Sequence, residues 1–170
     1  MKIGLGLWAC AAAALPLGSL ALAADEPAPM CTDASRSCLL LTVMTYIDGL
    51  ARHDSSKIPF TADVRATEQR DVVVTERSKF RSEIDNSTAI IGARNIRLIA
   101  DPETSSVAAF YLLDVAGEKG KPDYSVWRGQ RFKIIKGRVA EVEVYNFIEP
   151  NPKGLGPQLW PGGTTLPRKP

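Results

Sequence analysis

Hydrophobic residues recur at three- and four-residue spacing between Cys38 and Asp54, the pattern of a helix with one apolar stripe. Asp33 or Ser35 can cap the start of this helix. A stripe of this width predicts that the helix packs on a large apolar surface. The residues of the stripe are Leu39, Val43, Met44, Ile47, Leu50 and Ala51.

Two short elements follow this helix. The segment 64–68 alternates as a strand, which places Val64, Ala66 and Glu68 on one side. A second helix is predicted after Thr75, which can serve as its cap, and it ends near 85–86. Glu68 is therefore expected to share a face with apolar residues.

From Arg94 onward the period changes from that of a helix to that of strands. Four β-branched or aromatic runs are separated by turn-type sequences, and 136–138 predicts a tight hairpin between the last two. The order of elements predicts an α+β domain in which an antiparallel sheet covers helices on one face. The four runs are Arg94 to Ala100, Val107 to Val115, Tyr124 to Ile135 and Val139 to Ile148.

The two ends of the chain are expected to lie outside this domain. Residues 1–24 are nearly uncharged and close on Ala21-Leu22-Ala23, which is typical of a secretory signal peptide; an uncleaved membrane anchor is the alternative. Cleavage would leave Ala24 or Asp25 as the first residue. We predict an N-terminal arm over 25–37, a domain over 38–149 and a Pro/Gly-rich tail over 150–170. An exported protein, periplasmic or secreted, is expected, without stable membrane association after cleavage.

Composition narrows the class of protein. The 170 residues suffice for one domain, and 45% hydrophobic with 24% charged residues is ordinary for a globular chain. A net charge of +2 with scattered basic residues argues against nucleic acid as a partner. Cleavage would leave Cys31 and Cys38, for which one disulfide is predicted, with two separate thiols as the alternative. With His53 as the single histidine and no Cys-x-x-Cys pair, we expect no metal site.

Three segments of the sequence, by their order along the chain and their spacing, resemble the nuclear transport factor 2-like superfamily. Within that superfamily the chain looks most like bacterial SnoaL-like domains. They are Tyr46-Ile47-Asp48-Gly49-Leu50-Ala51-Arg52-His53-Asp54, Ala62-Asp63-Val64-Arg65-Ala66-Thr67-Glu68 and the hairpin 131–144. The resemblance implies a cystatin-like cone, in which a curved antiparallel sheet wraps around the N-terminal helices and encloses a deep apolar pocket.

The ketosteroid-isomerase branch of the superfamily implies catalytic roles for particular positions. Tyr46 matches a helix tyrosine that donates to an oxyanion, and Glu68 matches a carboxylate base on the short strand. The third position, a late-strand carboxyl, falls at Arg128, so steroid isomerase chemistry itself is not supported. Glu68, Tyr46 and Arg128 are the predicted catalytic residues.

Each of these assignments has a structural alternative. Glu68 can be solvated or paired with a neighbouring arginine, and the Tyr46 hydroxyl can bond to a backbone carbonyl. If the strand register slips by one residue, Trp127 and Arg131 point inward in place of Arg128. We name Asp114, Trp127 and Phe132 as substrate-binding candidates, although a turn-capping or ion-paired role is the favoured interpretation of Asp114.

The sequence leaves two classes of function open. The first is an acid–base enzyme of the lyase, isomerase or hydrolase kind, needing no cofactor and acting on a small apolar molecule. The second is a non-catalytic domain that binds such a molecule or dimerises through the outer face of the sheet. The fold alone does not choose between them, because this architecture hosts many activities.

Overall fold

The computed structural model describes residues 26–119, 121–148, 154 and 164–166. Two helices and six strands form one α+β unit, with the helices packed on the concave face of a single curved sheet. The fold class predicted from the sequence is confirmed. The elements are α1 Arg36–Arg52, β1 Phe60–Glu68, β2 Asp71–Val74, α2 Arg77–Asp85, β3 Ile90–Asp101, β4 Ser106–Val115, β5 Tyr124–Ile135 and β6 Arg138–Ile148.

The strands are ordered β2-β1-β6-β5-β4-β3. β1 lies parallel to β6, and every other neighbouring pair is antiparallel. The expectation of a purely antiparallel sheet is therefore corrected to a mixed one. The parallel pair has a direct consequence, because it places the C-terminal ends of β1 and β6 side by side, with Glu68 opposite Val144.

Helix α1 has the predicted boundaries to within two residues. The Ser35 hydroxyl accepts a hydrogen bond from the backbone N–H of Cys38 at 3.3 Å, and His53 ends the helix in the left-handed region with φ 56°. The buried stripe contacts β3, β4, β5 and β6, as its width predicted. Its members include Leu39, Val43, Ile47 and Leu50, each no more than 5% exposed.

Strand β2 was not predicted, and the turn before it gives the reason. Gln69 and Arg70 join β1 to β2 with φ of 49° and 80°. Sequences that adopt this turn usually contain Gly or Asn, which tolerate positive φ. Because Gln-Arg carries no such signal, the sequence gives no indication of a hairpin here. The turn predicted between β5 and β6 is confirmed, with Lys136 at φ 50° and Gly137 at φ 70°.

The N-terminal arm is held against the body of the domain. A disulfide joins Cys31 to Cys38, which decides between the predicted bridge and two free thiols. A Cβ atom on Gly137 would lie 1.8 Å from the carbonyl oxygen of Cys31, so the arm fits closely over the β5–β6 turn. Only glycine permits both this approach and the positive φ.

Glu26 makes a second attachment of the arm. Its Oε1 lies 2.7 Å from Nη2 of Arg81 and accepts from the backbone N–H of Phe60 at 2.8 Å. Arg77 lies 3.3 Å from Oε2, and Arg138 lies 3.9 Å from Oε1. One carboxylate, 15% exposed, thus faces three guanidinium groups from α2 and β6.

The outermost strand, β3, is paired near its middle by a segment from the end of the chain. Ile96 and Thr164 exchange backbone hydrogen bonds, and Leu166 donates to the carbonyl of Ala93 at 3.0 Å. The predicted signal peptide, its predicted cleavage site and most of the predicted tail lie outside the described residues. Within the described ranges, no helix combines the length and apolarity that a membrane crossing requires.

Candidate functional site

Four polar side chains line up across the concave face of the sheet. Tyr111 on β4, Arg128 on β5 and Asn146 on β6 are direct neighbours in register. Glu68 on β1 completes the line, because its carboxylate accepts a hydrogen bond from Nδ2 of Asn146. We call these four residues the polar row. Their neighbours on the same face of β5 are the apolar Val126 and Phe132 and the polar Gln130.

Arg128 points inward, as alternation along β5 predicted, so the alternative register with Arg131 inside is wrong. Arg131 instead pairs on the outer face with Glu143 and Glu141, at 2.7 and 3.1 Å. The side chain of Arg128 is half-buried, and its Nε is covered without a hydrogen-bond acceptor. Its positive charge acts on the hydroxyl groups of Tyr46 and Tyr111.

Two buried tyrosine hydroxyl groups adjoin the polar row. Burial raises the pKa of Tyr46, an effect that the charge of Arg128 and hydrogen bonding with Gln130 only partly oppose. Burial likewise raises the pKa of Tyr111, whose hydroxyl donates to Oε1 of Gln130. Both phenols therefore stay protonated at neutral pH and act as hydrogen-bond donors. The charge of Glu68 contributes to the raised pKa of Tyr46, so these two predicted residues do interact.

Glu68 is half-buried at the end of β1. Its hydrogen-bond partner is Asn146, and among the described residues it makes no ion pair with Arg65 or Arg70, the structural alternative. A carboxylate held by one amide donor keeps further lone pairs with which to accept a proton. The predicted catalytic residues Glu68, Tyr46 and Arg128 thus lie in one electrostatically connected group.

Gln130 and Asn146 are functional candidates that the sequence pattern did not predict. Gln130 is 3% exposed, and Asn146 bridges Glu68 to the neighbourhood of Arg128. A signal was present, because Gln130 alternates with Val126 and Phe132, and Asn146 follows Val144 at the same two-residue step. A polar residue at an inward position of an apolar strand indicates a buried group that needs a hydrogen-bond partner.

Asp114 and Trp127 do not lie beside the polar row. The prediction that they line one pocket with Glu68, Tyr46 and Arg128 places them on the wrong face of the sheet. Tyr111, Leu113 and Val115 face inward, so alternation turns Asp114 to the outer face of the sheet. Trp127 is turned outward in the same way.

Asp114 is only 1% exposed and is held in an ion pair. Its Oδ2 lies 3.0 Å from Nε of Arg94, and Ser125 donates to Oδ1 at 2.8 Å. The ion-paired alternative for Asp114 is therefore the correct one. Phe132 does face inward but is fully buried, with its ring 4.9 Å from that of Tyr46. Phe132 therefore packs against the ring of Tyr46 as a core residue.

A cavity of about 620 Å³ opens at one end of the sheet. Val115, Tyr124 and Ile148 form its apolar wall, and Glu118 and Lys121, from the loop after β4, line it with charged side chains. Ile148 follows Asn146 by two residues on the same face of β6, a separation of about 7 Å. Among the residues that the structure describes, no cluster of His, Cys, Asp and Glu is arranged to hold a metal ion.

Comparison with known proteins identifies the fold and one family. A family model described as "Domain of unknown function (DUF8021)" matches residues 32–145. An LEH-like epoxide hydrolase from M. tuberculosis superposes with a TM-score of 0.55 and 14% identity, over 65% of this chain and 84% of that one. A protein inferred to be a polyketide cyclase, from Xanthomonas campestris pv. campestris, superposes with a TM-score of 0.54 and 21% identity, over 65% of this chain and 90% of that one. No curated protein matches the chain.

A protein of unknown function with a cystatin-like fold, from Methylobium petroleophilum PM1, superposes with a TM-score of 0.56 and 16% identity, over 71% of this chain and 82% of that one. At such identities the likeness establishes the fold and leaves activity open. The predicted nuclear transport factor 2-like fold is confirmed.

Proposed function

This chain belongs to the family described as domain of unknown function DUF8021, and we propose that it is an acid–base enzyme acting on a small, largely apolar molecule bound on the concave face of the sheet. The observation that supports this is the polar row, in which an available carboxylate and a half-buried guanidinium stand in one apolar cone. Proteins described as an epoxide hydrolase and as a polyketide cyclase share this fold, which is consistent with catalysis.

The proposed roles follow from the chemistry of each group. Glu68 accepts a proton from a carbon acid or from an attacking water molecule, and Asn146 holds its carboxylate in place. Arg128 and the protonated hydroxyl groups of Tyr46 and Tyr111 donate toward the oxygen on which negative charge develops. The charges of Glu68 and Arg128 cancel before the reaction. Proton transfer to Glu68 then moves the negative charge to an oxygen beside Arg128.

The test is a proton-exchange and ring-opening assay that requires no knowledge of the natural substrate. A panel of small ketones and small epoxides is incubated with the protein in D₂O, and NMR follows deuterium uptake at carbon or opening of the ring. We expect turnover of at least one class, and Glu68→Gln is expected to lower the rate by about 10²–10⁴-fold. Glu103→Gln, in an exposed turn, is the matched control. Absence of turnover, or equal rates for both variants, contradicts the proposal.

Export is part of the same proposal. The Cys31–Cys38 disulfide fits an oxidising compartment. N-terminal sequencing of the protein from the exported fraction is expected to begin at Ala24 or Asp25. An intact Met1 in the membrane fraction would contradict export.

The outer face of the sheet supports a second candidate, an interaction domain that pairs with another copy of the chain. Ile99, Phe110, Tyr145 and Phe147 are each between 45% and 60% exposed and lie on this face. Analytical ultracentrifugation distinguishes the two states. A dimer that Phe147→Asp converts to a monomer supports the interaction domain, whereas a monomeric wild-type protein contradicts it.

A further inference from the structure

A glycine interrupts the outer face of the sheet at a position where the fold does not require one. Gly129 lies in the middle of β5, between the inward-facing Arg128 and Gln130, and its φ is outside the left-handed region. Of the described residues, only Phe110 would meet a Cβ atom at this position, at an ordinary contact distance of 3.8 Å. Glycine weakens the interior of a strand, and there it often marks the close approach of a ligand. The space above Gly129 is therefore a candidate binding site.

Aromatic side chains surround this space. Phe110 on β4 and Tyr145 on β6 are the direct neighbours of Gly129 in register, so one ring stands on each side of it. Trp127 and Phe147 oppose each other two residues further along the strands and close one end. The space measures about 220 Å³, and we call it the aromatic socket.

The size of the aromatic socket suits a single ring. Adjacent strands lie about 4.7–4.9 Å apart, so about 10 Å separates the Cα atoms of Phe110 and Tyr145, with only the backbone of Gly129 between them. Pockets for drug-sized ligands are larger, at about 300–1,000 Å³. Phe110, Tyr145 and Phe147 are between 45% and 60% exposed, so an incoming molecule can contact their rings directly.

Polar side chains bound the other end of the aromatic socket. Arg131 follows Gly129 by two residues on the same face, about 7 Å along β5, and pairs with Glu143 and Glu141 on β6. Within the described ranges, Nη1 of Arg131 has no acceptor and Oε1 of Glu141 has no donor. This end therefore offers both donors and acceptors. It carries no net charge, because Lys133, opposite Glu141, balances the second carboxylate.

The two ends of the aromatic socket require different chemistry from one ligand. The rings of Phe110 and Tyr145 suit an apolar ring face, and the Arg131–Glu143 pair suits hydroxyl groups at the rim of that ring. A pyranose ring has both features, since its C–H groups form an apolar face and its hydroxyl groups lie around the edge. A proline ring or an unsubstituted aryl ring would leave the polar end unused. A carboxylate or phosphate ligand would find no unbalanced positive charge.

From these observations we infer that the aromatic socket binds a neutral sugar. Its pyranose ring lies between Phe110 and Tyr145, and its hydroxyl groups bond to Arg131 and Glu143. This site is on the opposite face of the sheet from the polar row, so the inference does not depend on the proposed acid–base function.

Titrations of the ¹⁵N-labelled protein followed by NMR test the inference. The probes are methyl β-D-glucopyranoside, methyl β-D-galactopyranoside and methyl α-D-mannopyranoside, with D-glucitol as an open-chain polyol and deca-proline as a peptide. We expect at least one pyranoside to shift the amide signal of Gly129 and the indole signal of Trp127 saturably. We also expect it to bind at least about fivefold more tightly than D-glucitol. No saturable shift with any pyranoside, equal affinity for D-glucitol, or tighter binding of deca-proline overturns the inference.

Variants locate the binding. Gly129→Val fills the floor of the aromatic socket and is expected to weaken the pyranoside at least about tenfold. Gly129→Ala adds one carbon atom in ordinary contact with Phe110, so it is expected to fold like the wild type, with an equal or higher urea midpoint, and to weaken binding less. Ile99→Ala, exposed on the same face outside the aromatic socket, is the matched control and leaves the affinity unchanged. An affinity that both Gly129 variants retain contradicts the inference.

Pairing of two copies through the outer face would cover the same residues. Sedimentation with and without the pyranoside separates the two cases. A dimer that Phe147→Asp dissociates, and in which the Gly129 signal does not respond to any pyranoside, overturns the inference. Turnover in the D₂O assay reports on Glu68 alone and is expected to be the same in Gly129→Ala as in the wild type. Loss of sugar binding with turnover retained therefore contradicts only this inference.

Discussion

Asn146 donates a hydrogen bond to the carboxylate of Glu68 across the single parallel strand pair of the described sheet. The two residues are 78 positions apart in the chain. Because an amide is the donor, the pair holds one negative charge in a half-buried position without neutralising it. The carboxylate keeps its orientation and its capacity to accept a proton.

Asn146→Asp makes this contact a repulsive one. Two carboxylates within hydrogen-bond distance repel each other unless one of them is protonated. We expect the variant to be close to the wild type in stability at pH 4 and less stable by about 1–3 kcal/mol at pH 7. Urea unfolding at both pH values measures this difference. In the double variant Glu68→Gln with Asn146→Asp the penalty at pH 7 should disappear. A penalty that is the same at both pH values would contradict the mechanism.

Glu26→Gln tests the attachment of the N-terminal arm. The substitution keeps the size of the side chain but leaves Arg77, Arg81 and Arg138 facing one another without a negative charge. Loss of one partner from a largely buried ionic cluster is expected to lower the free energy of unfolding by about 1–3 kcal/mol. Glu103→Gln, in an exposed turn, should change it by less than about 0.5 kcal/mol. Equal urea midpoints for the two variants would show that the ionic contacts of Glu26 contribute nothing to stability.

Reduction of the Cys31–Cys38 disulfide tests the other attachment of the N-terminal arm. Cys31 and Cys38 are seven residues apart, and closing so short a loop stabilises the folded state by about 2–3 kcal/mol. Both thiols should resist labelling until a reductant is added, and the reduced protein should unfold at a lower urea concentration. Labelling of both cysteines in the untreated protein would show that the Cys31–Cys38 disulfide does not form.

The buried tyrosines predict how stability depends on alkaline pH. Burial raises the pKa of Tyr46 and of Tyr111 above that of the unfolded chain, so the folded state retains protons that the unfolded state releases. The free energy of unfolding is therefore unaffected by these tyrosines below about pH 10. Above that pH it falls, by at most about 1.4 kcal/mol per pH unit for each tyrosine. Unfolding measured at pH 9 and pH 11 should show a smaller loss for Tyr46→Phe and for Tyr111→Phe than for the wild type. Identical losses would contradict this account.

Features that depend on near neighbours in the chain could be predicted from the sequence. The stripe of α1, the turn at 136–137 and the inward position of Arg128 all follow from contacts between residues two to four positions apart. The Cys31–Cys38 bridge belongs to the same group, because a seven-residue separation leaves few other partners. Local periodicity predicts such features, since the backbone geometry that produces them repeats within one or two turns.

The polar residues that contact one another became known from the packing of the strands and could not be predicted from local patterns. The sequence marked Glu68 and Arg128, but the parallel pairing of β1 with β6 brings Asn146 to Glu68, and nothing near either residue specifies that pairing. In the same way, Asp114 and Trp127 carried a polar or aromatic signal yet face outward, because strand register assigns alternate residues to opposite faces. Register and strand order depend on the packing of the whole core, which no local pattern contains.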